Sequence, residues 1–214
     1  MGDFSTTENR STTLEQLAQA YPREPVQAST DKETPRINSA YKTLIEATPF
    51  FTIASRSEKG LDCSPRGDGP NDSSSLLQVL DDRFVGFADR RGNNRLDTLR
   101  NIIHDPHVGL LCLIPGVDMT LRLNGQAHIS RDPALLARFV MKGIEPASVI
   151  VIRVDTVFFQ CARAVMRAGL WNSDRQVDPK SLPSAGDLLN SVINDFDGNG
   201  YDAALPERQA STLY

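Results

Sequence analysis

Arg83-Phe84-Val85-Gly86-Phe87-Ala88-Asp89-Arg90-Arg91-Gly92-Asn93-Asn94-Arg95-Leu96-Asp97-Thr98-Leu99-Arg100 is the stretch on which the fold turns. Its first six residues are an apolar run with strand composition. Its end leads into Leu96, Leu99, Ile102 and Ile103, whose spacing predicts one apolar face of a helix. A basic, glycine-bearing loop therefore joins a strand to a helix. Asn93 or Asn94 is positioned to cap that helix, leaving other first-turn N–H groups and the positive end of the dipole facing outward. Arg90, Arg91 and Arg95 add three cations there, and free donors beside guanidinium groups make a sound phosphate site. The alternative is a well-capped helix with solvated arginines.

Upstream, Leu76–Leu80 and the Asp81-Asp82 turn make this strand the second half of a hairpin. Phe50–Arg56, the Glu58-Lys59-Gly60 turn and Leu61–Arg66 predict an earlier hairpin. Pro65 cannot donate to a central ladder, which puts the returning strand at an edge, with Ser64 and Arg66 where a ligand can reach. A loop follows over Gly67–Asp72. Before this hairpin, Ile37, Ala40, Tyr41, Leu44 and Ile45 fall at helical spacing, closed by Thr48-Pro49. Residues 1–35 read as an arm with one short amphipathic piece, Leu14–Tyr21, ended by Pro22.

Downstream, Val108–Ile114 is apolar on both faces and predicts a buried central strand. Leu121, Leu123, Ala127 and Ile129 alternate with polar residues, broken by Gly125, and give a strand with one wet face. Arg131-Asp132-Pro133 opens a helix through Leu135, Leu136 and Phe139. Val149–Phe159 returns as a strand, and Cys161–Leu170 is a short helix ending near Trp171. About six strands linked mostly as hairpins favour a small antiparallel barrel over a doubly wound sheet. No Rossmann or Walker-type loop is present.

The 214 residues are 40% hydrophobic, enough for one domain with extensions. A net charge of −4 argues against a protein devoted to nucleic acid or an acidic membrane, so the arginine cluster is local. Cys63, Cys112 and Cys161 form no C-x-x-C pair, and a reducing cytoplasm fits them best. The polar start, Met1–Asn9, is not a signal segment, and no stretch is long enough to span a bilayer. We expect a soluble cytoplasmic protein.

Taken in order, Phe50–Ser55, Asp62–Asp68, Ala88–Ile102, Asp105–Leu111 and Leu121–Ala127 resemble the pyridoxamine 5'-phosphate oxidase-like family of FMN-binding split barrels, and most of all a branch of bacterial members without an assigned activity. The resemblance covers residues 36–172. It implies a mainly β fold with flanking helices, a six-stranded antiparallel split β-barrel, with residues 1–35 as an N-terminal arm and 173–214 as a C-terminal extension. It further implies a homodimer with FMN at the subunit interface and a small-molecule substrate or reduced nicotinamide as redox partner. By position, Asn94 and Arg95 match the pair that holds the FMN phosphate, with Arg66 as a helper. Cys63 and Ser64 match strand positions beside the flavin ring, Ala88 and Asp89 backbone contacts to its polar edge, and Thr120 and Leu121 the place where the next strand meets it. Arg163, Arg167 and Trp171 resemble C-terminal positions that reach the other subunit's flavin.

Two family features are missing: the C-terminal Arg-x-His signature and the Arg-Pro…Ser segment that receives the vitamin phosphate. FMN binding is thus better supported than oxidation of that vitamin, and no general acid or base is identifiable. The leading expectation is an FMN-dependent oxidoreductase. The alternatives are a flavin- or haem-binding protein without turnover and a cofactor-free interaction module. Asp195–Gly200 matches the opening of a calcium loop, but Pro206 stands where such a loop needs a bidentate Glu, so no metal site is assigned. His104 and His107 flank Asp105-Pro106 and read as residues at a helix end, and His128 lies on a wet strand face.

Overall fold

Alternating apolar residues in the hairpins and nearly continuous ones in Val149–Phe159 build one antiparallel sheet. The computed structural model describes residues 10–68 and 75–212. The loop read over Gly67–Asp72 falls beyond Asp68 outside the described residues, as do Met1–Asn9 and Leu213-Tyr214. The helices are α1 (Leu14–Ala20), α2 (Ala28–Asp31), α3 (Ser39–Glu46), α4 (Asp97–His104), α5 (Pro133–Ala137), α6 (Arg163–Ala168), α7 (Ala185–Asn190) and α8 (Gly198–Ser211). The strands are β1 (Phe50–Ser57), β2 (Gly60–Gly67), β3 (Gln78–Val79), β4 (Phe84–Ala88), β5 (His107–Leu113), β6 (Thr120–Ser130) and β7 (Val149–Gln160).

The chain divides into two units, Met1–Glu33 and Thr34–Tyr214. The first holds α1, whose Thr13–Gln16 capping box satisfies its first turn and which buries no side chain. The second holds the sheet and everything after it.

Seven strands pair in the order β2-β1-β5-β6-β7-β4-β3, with every ladder antiparallel. The expected count of six falls one short, and the Leu76–Leu80 half of the second hairpin shrinks to the two-residue edge strand β3. No ladder joins β2 to β3 among the described residues, so hydrogen bonding does not close the sheet into a barrel. It curls instead. Phe51 of β1 and Phe87 of β4, four places apart in the strand order, meet edge to face with ring centroids 5.1 Å apart. The core inside that curl joins Phe51, Ile53, Leu77, Val85, Phe87, Leu110, Leu123, Ile152 and Val157, closed by Tyr41 and Ile45 of α3.

Two local readings are corrected. β5 is central, between β1 and β6, but Leu111 is 38% exposed, because one face of the strand is left uncovered. In α4 the face turned inward is Thr98, Asn101 and Ile102, whereas Leu96 and Ile103 stand 40% and 78% exposed. Hydrogen bonds explain it: Asn101 donates to Ser55 Oγ at 3.0 Å, so a polar side chain is accommodated in the interior.

Gly125 marks a bulge in β6, where the register to β7 shifts. A Cβ there would lie 2.1 Å from the Arg153 carbonyl oxygen, so only glycine fits. Within Asp195–Gly200, Asp197 caps α8, accepting from Gly200 N at 2.9 Å. No cluster of three or more His, Cys, Asp or Glu side chains is placed to hold a metal among the described residues. No helix among them is long and apolar enough to cross a membrane.

Candidate functional site

The curl of the sheet brings β2, at one edge, near the end of β4, next to the other. Between them lies a cleft of about 1220 Å³, large enough for a sizeable organic ligand. Asp62, Ser64 and Arg66 of β2 form one wall, Ala88 and the Asp89–Leu96 loop another, and Met141 with Ile144–Ala147 a third. The start of α4, through Thr98 and Leu99, forms its end.

Strand alternation decides which β2 side chains face in. Asp62, Ser64 and Arg66 are half-buried and point to the cleft side, while Leu61, Cys63 and Pro65 are exposed on the other. Cys63 is therefore turned away from the cleft. Arg66 donates through Nη2 to Thr98 Oγ1 at 3.0 Å and through Nη1 to the Pro65 carbonyl at 2.8 Å. The first of these ties the edge strand to the start of α4. Arg90 makes the matching tie from β4: it pairs with Asp68 at 3.3 Å and donates to the Phe139 carbonyl at 2.8 Å.

The helix start differs from the expected cap. Neither Asn93 nor Asn94 caps α4; Asn93 Oδ1 accepts from Arg95 N at 3.1 Å, one turn too early. The cap position is Leu96, in the left-handed region at φ 60°, with no side-chain cap bond. Asn94 also sits at φ 59°. A leucine held in that region is strained by about 1–2 kcal/mol, and such strain concentrates at functional turns. The first turn of α4 thus presents backbone N–H groups uncapped by any side chain. Arg95 reaches back to Asp97 at 2.7 Å with its side chain 73% exposed.

The electrostatics of the cleft centre on Arg66 and Asp89. Burial lowers the Arg66 guanidinium from its ordinary value, opposed by Asp89 and Asp62. Burial likewise raises the Asp89 carboxyl above the usual carboxylate range, with Arg66 pulling it back in part.

Of the residues singled out from sequence, Ser64, Arg66, Ala88, Asp89, Asn94 and Arg95 come together here. Thr120 and Leu121 do not: they begin β6, opposite Gln160 and Phe159, and Leu121 is in the core. Arg163 and Arg167 lie exposed on α6, and Trp171 donates from Nε1 to the Val117 carbonyl at 3.0 Å, all outside the cleft. None of the three histidines lines it; His107 pairs with Asp105 at 2.7 Å. Sequence reasoning missed Asp62, Thr98 and the Met141–Ala147 wall. Asp62 alone left a signal, since strand alternation puts it on the same face as Ser64 and Arg66.

Residues 37–161 match the family model for pyridoxamine 5'-phosphate oxidase, more than half of the chain. The chain belongs to the pyridoxamine 5'-phosphate oxidase family. The matched span of that family runs from just before α3 to just past β7, and so contains both the sheet and the arginine loop. Among solved structures, HupZ of Group A Streptococcus is similar at 17% identity and a TM-score of 0.43, over 57% of this chain and 93% of that one. General Stress Protein 26 of Bacillus anthracis is similar at 17% and 0.39, over 55% and 88%. The FAD binding protein of Mycobacterium smegmatis is similar at 14% and 0.40, over 58% and 96%. No curated protein matches the chain.

Proposed function

We propose that the cleft holds FMN and that the protein is an FMN-dependent oxidoreductase acting on a small molecule. The observation that carries this is the uncapped start of α4, opening on the cleft beside Arg66. Membership of a flavin-using family agrees with it. Bound FMN would supply the electron exchange, as flavins do in any site that orients them. The chain's own part is binding. The first-turn N–H groups of α4, with Asn94 and Arg95, suit the phosphate, and Thr98 holds Arg66 where its remaining donors add to the same charge. Ser64 and Ala88 line the wall of the cleft against which the ring would lie. The split-barrel arrangement and a homodimer that completes the site belong to the same proposal, with Arg163, Arg167 and Trp171 supplied by the second subunit. The exposure of Leu111 on β5 supports this part of the proposal. The absence of the two vitamin-binding signatures from the sequence leads us to expect a substrate other than pyridoxamine 5'-phosphate.

An absorbance spectrum of the purified protein, then titration of the stripped protein with FMN, tests the reading. Flavin bands and saturable binding are expected. Arg66→Ala and Arg95→Ala should each weaken FMN by about 1.5–3 kcal/mol, the worth of a charge-assisted hydrogen bond, with the larger loss at Arg66 because Arg95 is more exposed. Reduction of the bound flavin by NADH or NADPH and its reoxidation would establish turnover. Absence of FMN binding would overturn the proposal.

A further inference from the structure

Almost every half-buried polar side chain on the cleft is already engaged. Asp62 accepts from Ser64 Oγ at 3.1 Å, Asp97 pairs with Arg95, Thr98 accepts from Arg66, and Arg90 is held by Asp68 and the Phe139 carbonyl. Glu145 is exposed, where water serves it. Asp89 differs. Its backbone N–H donates to the Ser148 carbonyl at 3.0 Å, which fixes the residue just past the end of β4. Its half-buried carboxylate makes no hydrogen bond or ion pair among the described residues. The cation nearest in influence, Arg66, gives its bonds to Thr98 and Pro65 instead. The carboxylate is only partly desolvated, since no side-chain oxygen among the described residues is both fully buried and unpartnered, and a cleft is where a ligand can supply the missing donor.

The chemistry of that donor follows from the surroundings. A phosphate has no N–H to offer and repels a carboxylate, so Asp89 must face a different part of the ligand from the one seated at α4. The isoalloxazine ring carries one N–H, in an imide edge where it is flanked by two carbonyls. A carboxylate acceptor complements that edge by taking its N–H.

We infer that the Asp89 side chain is a specificity-determining acceptor for the imide N–H of the flavin ring. This rests on the FMN reading above and goes beyond it, because the family resemblance assigns only the backbone of Asp89 to the ring's polar edge. The carboxylate selects flavins with a free imide and orients the ring relative to the phosphate.

The test is a pair of titrations of the stripped protein, with FMN and with 3-methyl-FMN, whose imide nitrogen carries a methyl group in place of hydrogen. The unsubstituted protein should prefer FMN by on the order of tenfold or more, as expected for a hydrogen bond to a charged group. Asp89→Ala should bring the two flavins within about twofold of each other, while Asp89→Asn, which keeps a carbonyl acceptor, should restore part of the preference. Far-ultraviolet circular dichroism checks that each variant is folded. Equal affinity of the unsubstituted protein for both flavins would overturn the inference. So would a preference that survives in Asp89→Ala, since backbone contacts would then be the cause. If neither flavin binds, it is the FMN reading that has failed, and the inference falls with it.

Discussion

Asp89 works against the fold that holds it. Its carboxyl is raised by burial, so as pH climbs the unfolded chain, with an ordinary value near about 3.9, ionises before the folded one. The stability it allows is complete below that value and is lost as pH rises through the folded value. Asp89→Asn should therefore stabilise the ligand-free protein at pH 7, with the gain shrinking towards pH 4. Urea midpoints at the two pH values measure this. A variant less stable at pH 7 would mean that Arg66 needs the counter-charge more than the carboxylate suffers from burial. That a residue costly to stability lies on the cleft is what a functional assignment predicts. At this scale the sequence was informative where chemistry is local. Arg66 and Ser64 could be assigned to one face of β2 from alternation alone. The lack of a partner for Asp89 could not, because it depends on what every neighbouring side chain has already bonded to.

The strand–loop–helix around the arginines was legible as an element, and so was its ligand-facing start. Its cap and its buried face were not. Periodicity favours Leu96 and Ile103 as inward residues, yet Thr98 and Asn101 are the ones buried, because Arg66 and Ser55 satisfy them from other strands. A polar residue's partner in space is invisible to a helical wheel. Gly125 is the opposite case, a break in an alternating pattern that reads directly as a bulge. Gly125→Ala should destabilise the protein by at least about 2 kcal/mol, since the added methyl meets backbone rather than a movable side chain. A change in the thermal midpoint too small to resolve would show that the β6–β7 register can slip to make room.

The sheet's strands could be predicted one by one, but not their order. Hairpins announce neighbours that are close in sequence; the β1–β5 and β4–β7 ladders join segments separated by whole elements, and only the shared core selects them. Cys112, on β5 in the middle of that order, reports on the whole assembly. Burial pushes its thiol up to about 12, whereas Cys63 and Cys161 are exposed. Iodoacetamide at neutral pH should label the latter two readily and Cys112 only when the entire sheet opens, which mass spectrometry of timed samples would resolve. Labelling of all three at one rate would show that β5 is released without global unfolding.

The cleft is a seam between distant edges, and this governs when during its biosynthesis the protein can first recognise anything. β2 is complete at residue 67 and the arginine loop soon after, but β4 is held in the sheet through β7, which ends at residue 160. A nascent chain carries every cleft residue from Asp62 to Thr98 long before it has a cleft. Non-local pairing of this kind is slow, and the emerging hairpins must wait with their apolar faces uncovered. Whatever the site accepts, it can be captured only once the last strand has docked, so loading marks the end of folding rather than guiding it.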